Sequence, residues 1–369
     1  MIYLDYAASA HPYPEALSAM AAVAAESFGN PGAIHGAGAR ARQILQESRK
    51  TLAQMLKVRP EEVYFTSGGT EANNWALALG CTGTRKKHIV CSAAEHSSVL
   101  EPLKVLEGKG YAVSRVLPDR QGRVTPEAVE AALRPDTALV CLQAVNNETG
   151  VMQDVDALAS LARKKGVVFF CDAVQSFGHV SQSLHKADLI SLSAHKFGGP
   201  RGVGCLVIRQ RVLPVPLILG GGQEFGMRSG TENVPAIAGF ALAARLADRD
   251  LSREQARLEA LRQQLEQGLG KLCPELEIAG AKACRSGITC CRFPGHTAEA
   301  LVTRLDAFGI CASPGAACAA AKGEASHVLR AMGYSSKEAA EFVRFSPGRL
   351  TTQEEIRQVL RAMDRILAP

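Results

Sequence analysis

The stretch Asp188-Leu189-Ile190-Ser191-Leu192-Ser193-Ala194-His195-Lys196-Phe197-Gly198-Gly199-Pro200 decides the fold. Its first half is an apolar run of strand length. Its second half leaves the strand through a lysine into a Gly-Gly-Pro turn. Upstream, Val167-Val168-Phe169-Phe170-Cys171 is a second such run and ends on Asp172. Working outward, strands are expected at 63–66, 88–92, 139–145 and 203–208, with helices at 97–108 and 154–165. Ala41, Ile44, Leu45, Ser48, Leu52, Met55 and Leu56 recur at helical spacing. Short apolar strands alternating with helices imply βαβ units and a mostly parallel sheet, hence an α/β fold. A long helix is expected over 235–269. Beyond it, strands near 276–279, 288–293, 310–312 and 343–346 alternate with helices at 297–308, 326–332 and 353–367. That second part reads as a smaller α+β domain.

Composition narrows the function classes. The 369 residues are 47% hydrophobic and 21% charged, as in an ordinary globular protein. The net charge of +6 is spread along the chain without a run of five like charges, so no direct nucleic-acid binding is expected. The apolar stretch Val212 to Leu219 is short and holds Pro214 and Pro216, whereas a membrane helix needs roughly 20 apolar residues. No membrane span is expected. Met1-Ile2-Tyr3-Leu4-Asp5 has no basic start or apolar run, which leads to the expectation of a cytoplasmic protein. Of the 11 cysteines, Cys141, Cys171 and Cys205 lie in strand-like runs and read as buried small hydrophobes. Cys290-Cys291 has no zinc spacing and no CxxC pair occurs, so no metal site is expected.

Three segments carry chemistry. Ser67-Gly68-Gly69-Thr70-Glu71 joins a strand to a helix start, where backbone N–H groups and the helix dipole suit an anion. Alone, it is equally an ordinary Gly-Gly turn. Asp172 ends an apolar strand at the sheet edge where α/β proteins bind ligands, or else caps a helix. Lys196 follows the next strand, 24 residues on. A lysine that forms a Schiff base and an aspartate that pairs a pyridinium nitrogen are the minimum apparatus for pyridoxal 5'-phosphate (PLP).

With these residues in hand, the chain resembles the cysteine desulfurases of the class V aminotransferase group. The ordered matches run over nearly the whole length. They include Tyr3-Leu4-Asp5-Tyr6-Ala7-Ala8, Asn30-Pro31-x-x-x-His35, Phe65-Thr66-Ser67-Gly68-Gly69-Thr70-Glu71 and Glu95-His96. They continue with Asn146-Asn147-Glu148-Thr149-Gly150, Ser193-x-His195-Lys196, Gly221-Gly222-Gln223-Glu224, Arg228-Ser229-Gly230-Thr231-Glu232-Asn233 and Arg344-Phe345-Ser346-x-Gly348-Arg349. The resemblance implies a fold-type-I PLP transferase. Its large PLP-binding domain would span 12–250, and its small domain would join 1–11 to 251–369. It also implies roles. Lys196 would hold PLP and move the Cα proton, and Asp172 would pair the ring nitrogen. His96 would stack on the ring and assist proton transfer. Gln175 would bond the phenolic oxygen. Gly69, Thr70, Ser193 and His195 would receive the phosphate. Thr231 would reach the phosphate of a neighbouring subunit, making a homodimer. Arg349 would pair the carboxylate of L-cysteine in a bidentate manner, and Asn147 would contact substrate and cofactor.

The family nucleophile matches Cys318, in a small-residue loop over about 312–325 that is expected to be mobile. An unperturbed thiol has a pKa of about 8.5, so its thiolate needs help at neutral pH. Lys322, His327 and His96 are the local candidates. Ser313-Pro314-Gly315-Ala316-Ala317-Cys318-Ala319 departs from the family's Ser-Ser-Gly-Ser-Ala-Cys by two lost hydroxyls and an added proline. Longer relatives extend past the last helix and use that tail for scaffold contacts; with Pro369 soon after that helix, a different mode of acceptor binding or another pathway is expected. The acceptor would be an iron–sulfur scaffold or a thiolation enzyme. Rival readings are a selenocysteine lyase or cysteine sulfinate desulfinase, an ordinary aminotransferase, and a catalytically silent sulfur-trafficking scaffold.

Overall fold

Val168-Phe169-Phe170-Cys171 is apolar at every position because both faces of its strand are covered. Phe169 and Cys171 pack into one core and Phe170 into another, each fully buried. Each such phenylalanine contributes about 1.5–3 kcal/mol by leaving water. The computed structural model describes residues 1–315 and 325–368.

Among these residues the elements run β1 (Ile2–Tyr3), α1 (Pro14–Glu26), α2 (Gly36–Leu56), β2 (Val63–Thr66), α3 (Gly69–Gly80), β3 (His88–Ser92) and α4 (Ser97–Gly108). They continue through β4 (Ala112–Val116), α5 (Pro126–Ala132), β5 (Thr137–Gln143), α6 (Val155–Lys164), β6 (Val168–Asp172), β7 (Leu189–Ser193), β8 (Gly204–Ile208) and α7 (Val234–Leu272). The remainder is β9 (Glu277–Ile278), β10 (Thr289–Arg292), α8 (Ala298–Ala307), β11 (Ile310–Cys311), α9 (His327–Ala331), α10 (Ser336–Ala339), β12 (Phe342–Phe345) and α11 (Gln353–Leu367).

A seven-stranded sheet has the order β2-β8-β7-β6-β5-β3-β4. The pairs among β4, β3, β5, β6 and β7 are parallel, and β8 runs antiparallel to both β2 and β7. One face is covered by α2, α6 and the start of α7, through Leu45, Leu52, Leu158 and Phe240. The other is covered by α3 and α4, through Trp75, Leu79, Val99 and Leu103. The chain is therefore a mostly parallel α/β sandwich, as expected. Cys141, Cys171 and Cys205 are buried in it.

The register positions chemistry. Asp172 lies opposite Gln143 on one side and Ser191 on the other, and Ser193 lies opposite Gly204. The C-terminal ends of β5, β6 and β7 thus bring Gln143, Asp172 and Ser193 to one sheet edge. Gly204 is needed there: a Cβ on it would stand 2.4 Å from the Leu192 carbonyl oxygen and 2.8 Å from Gly68 Cα.

A second sheet, β12-β10-β9, is antiparallel, while β1 pairs in parallel with β11. Ile2 and Leu4 share a core with Leu261, Leu265, Phe293, Phe345 and Met363. Thr352 and Glu355 close a capping box on α11. Three elements of the seven-stranded-sheet part, β4, α1 and α5, were not expected from the sequence. β4 is an edge strand with mostly unburied residues, and α1 buries only Ala16 where it packs on α7.

Candidate active site

The end of β7 turns through a single 3-10 turn, Ala194–Lys196, which aims Lys196 across the sheet edge. Its Nζ donates to the carbonyl oxygens of Ala7 at 2.7 Å and Ala8 at 3.1 Å. The N-terminal segment thus supplies two backbone acceptors to the lysine. Asp172 is buried at the end of β6, with Oδ1 receiving the Val174 N–H at 2.9 Å and Oδ2 receiving the Asn73 amide at 2.7 Å.

Lys196 and Asp172 share one cavity of about 170 Å³, which Gly69, Thr70, His96, Asn147, Gln175, Ser193 and His195 also line. Eleven of the residues singled out above are described, and nine stand together here; Arg349 and Thr231 are treated below. Gly69 opens α3, whose N-cap Gly68 has no side chain to satisfy the first N–H groups. A Cβ on Gly69 would come within 2.8 Å of Val174 Cγ2, so only glycine leaves this helix start open. Gln175 is buried with its Oε1 unpaired.

Three histidines surround the lysine. His96 caps α4, with Nδ1 receiving the Ser98 N–H at 3.1 Å. Burial lowers its pKa, the Asp172 charge opposes that, and Lys196 and His327 add to it. His195, with Nδ1 at 3.3 Å from Ser9 Oγ, is pushed down to about 4 by burial and by the charges of Lys196 and Arg201. His179 bonds the Lys196 carbonyl oxygen at 2.8 Å and is lowered by burial. All three sit on the neutral side at pH 7.

Two residues lie elsewhere. Arg349 lines a smaller neighbouring cavity, its guanidinium 4.4 Å above the Tyr13 ring and Nη2 3.4 Å from the Pro12 carbonyl oxygen. Thr231 is exposed and does not line the cavity of its own chain. Cys318 lies outside the described residues. Three lining residues, Asn73, Ser98 and Gln143, escaped sequence reasoning. The signal for Asn73 was a polar residue on the apolar stripe Ala72, Trp75, Ala76 of α3.

The class-V aminotransferase pattern matches residues 2–359. A curated "Cysteine desulfurase" from Cereibacter sphaeroides is 42% identical over 99% of this chain and 95% of its own length. A solved "NIFS-LIKE PROTEIN" is 36% identical, with a TM-score of 0.93 and 99% of both chains covered. A structure titled "SspA in complex with cysteine" is 31% identical, with a TM-score of 0.83 over 95% of this chain and 100% of that one. The chain belongs to the class-V aminotransferases and, within that PLP-dependent group, to the cysteine desulfurase family.

Proposed function

We propose that the chain binds PLP on Lys196, converts L-cysteine to L-alanine, and retains the sulfur as a persulfide on Cys318 for an acceptor protein. The observation that carries the reading is the meeting of Lys196, Asp172 and the uncapped start of α3 in one cavity. The cavity fits the cofactor. The bare N–H groups of α3 suit its phosphate, and the buried Gln175 oxygen has no hydrogen-bond partner among the described residues.

PLP, when bound, supplies a carbonyl for amine exchange and a cationic ring that draws electrons from the substrate Cα. The chain's own residues do the rest. Asp172, its carboxylate oriented by two donors, would pair the ring nitrogen and keep it protonated through its negative charge. His96 would pack on the ring, and Thr70, Ser193 and His195 would receive the phosphate with Gly69. Lys196 Nζ removes and returns the proton at Cα. Arg349 pairs the substrate carboxylate and Asn147 adds a polar contact. The Cys318 thiolate takes the substrate sulfur, so that cysteine and the thiol become alanine and the persulfide. Thr231, exposed on its own chain, completes the phosphate site of a partner in a homodimer. The large domain spans 12–250 and the small one joins 1–11 to 251–369, a division supported by the packing of Ile2 and Leu4 with the C-terminal core. We assign the reaction to the cytoplasm; among the described residues no helix is long and apolar enough to cross a membrane.

The test is to incubate PLP-loaded protein with L-cysteine and a reductant, and to measure sulfide and alanine beside Cys318→Ala. Equimolar products that the variant loses support the reading. Unchanged product from the variant removes Cys318 from the reaction.

A further inference from the structure

A continuous hydrogen-bonded chain joins two residues of the cavity that lie on different elements. Asn73, 1% exposed on α3, places Nδ2 2.7 Å from Asp172 Oδ2 and 2.8 Å from Ser98 Oγ. Chemistry fixes the amide orientation: a carboxylate only accepts, so the nitrogen must face it. Both amide hydrogens are then used. Ser98 Oγ, having accepted from Asn73, has its own hydrogen left to donate. His96 Nδ1 lies 2.7 Å from that oxygen and also receives the Ser98 backbone N–H at 3.1 Å. Two donors therefore converge on His96 Nδ1. A ring nitrogen can meet two donors only as the unprotonated one, so the ring hydrogen sits on Nε2.

We propose that Asn73 and Ser98 are positioning residues that lock His96 in the Nε2–H tautomer and tie that ring to the carboxylate of Asp172. His96 then serves the cavity as a hydrogen-bond donor. It does not act as a base there: its only basic nitrogen is Nδ1, which is occupied by Ser98. A proton added at Nδ1 would face the Ser98 N–H and force the serine hydroxyl to turn. The proton traffic of the reaction falls to Lys196. Asn73 meanwhile fixes Oδ2 of Asp172, as the Val174 N–H fixes Oδ1. The inference rests on the assignment of Asp172 and His96 to the PLP site made above. Among the described residues, the charged and titratable groups around the His96 ring are Asp172 on β6, Lys196 after β7 and His327 on α9, with buried Glu95 one residue before it.

The experiment is nitrogen NMR of histidine-labelled protein, with and without PLP, from pH 6 to 8.5. The His96 signals are assigned by their loss in His96→Gln. The wild type is expected to show a protonated Nε2 and an unprotonated Nδ1 throughout. Ser98→Ala keeps the backbone N–H that holds the tautomer but loses the hydroxyl, and is expected to raise the titration of His96 by roughly one pH unit, since a bond to the neutral form is lost. Ser98→Thr, which keeps the hydroxyl, restores the wild-type spectrum. Asn73→Ala weakens PLP binding about tenfold by fluorescence titration, through loss of the Asp172 bond. A wild-type proton on Nδ1 overturns the proposal without any variant, and so does a wild-type titration of His96 in Ser98→Ala. Asp172→Ala separates the two readings. Undiminished PLP affinity in that variant overturns the site assignment itself. Lost affinity, together with an unmoved titration of His96 in Ser98→Ala, overturns only the positioning role.

Discussion

The hydroxyl of Ser326 donates to Glu148 Oε2 at 2.5 Å, tying the residue that caps α9 to the turn after Asn147. A Cβ on Gly315 would stand 3.3 Å from the same Oε2 and 3.9 Å from Ser326 Cβ. The residues flanking 316–324 on both sides thus meet at one buried side chain, beside a residue that lines the cavity. Glu148→Ala removes that shared anchor. It is expected to lower persulfide formation on Cys318 at least tenfold while PLP content stays near one per chain. Ser326→Ala, which leaves the carboxylate in place, is expected to lower it less. The check is mass spectrometry of the Cys318 peptide after one exposure to cysteine. Wild-type persulfide yield in Glu148→Ala would sink the idea.

Gly69 offers a second test, because the clash it avoids is with one identified side chain. Alanine there brings Cβ to 2.8 Å from Val174 Cγ2, and Val174 stands two residues past Asp172. Overpacking of this kind costs about 1–3 kcal/mol. Gly69→Ala is expected to weaken PLP binding roughly tenfold or more, and Gly69→Ala with Val174→Ala to recover most of the loss. Spectrophotometric titration of the apo-protein decides the matter. No recovery in the double variant would mean that the cost lies in the phosphate contact and not in packing.

The fold was legible wherever a strand is buried on both faces. β3 and α4 run over the same residues as expected, and β6 and β7 are displaced by at most one. The expected 139–145 strand is instead Thr137–Gln143. Ala144 and Val145 bend out of the ladder, and Val145 pairs with Met152 in an isolated bridge. β4 escaped because an edge strand with polar alternation gives almost no apolar signal. Sequence motifs gave the cavity-lining Lys196, Asp172 and His96 directly. Asn73, Ser98 and the Ala7 and Ala8 carbonyls were not legible, because their roles depend on which elements pack together and not on local spacing. Arg349 shows the converse: the motif is clear, but its side chain rests on Tyr13 and not in the cavity.

That placement of Arg349 makes its role measurable. Held by a face-on contact with Tyr13 and one long bond to the Pro12 carbonyl oxygen, the guanidinium keeps most of its donors for a carboxylate. Arg349→Ala is expected to raise KM for cysteine by roughly tenfold to a hundredfold. Arg349→Lys is expected to recover little, because an ammonium cannot form the bidentate pair. Steady-state kinetics beside a thermal melt separates binding from packing. An unchanged KM with a lowered Tm would assign the arginine to the Tyr13 contact alone.

Glu95 gives the pH dependence. It is fully buried, with Oε1 receiving the Gln143 N–H at 2.9 Å and Oε2 without a partner. Burial, reinforced by the Asp172 charge, raises its pKa from near 4.5 to about 8. Between those values the folded protein keeps a proton that the unfolded chain has released. Stability contributed by this group is therefore complete below pH 4.5 and is lost as pH rises through 8. Glu95→Gln keeps a carbonyl acceptor for Gln143 and carries no titrating proton. Its Tm relative to wild type is therefore expected to climb between pH 5 and pH 9, by roughly 1–3 °C or more. Melts of both apo-proteins across that range test the argument. Parallel curves would show that Glu95 titrates as an ordinary carboxyl, and a falling difference would reverse the sign of its contribution.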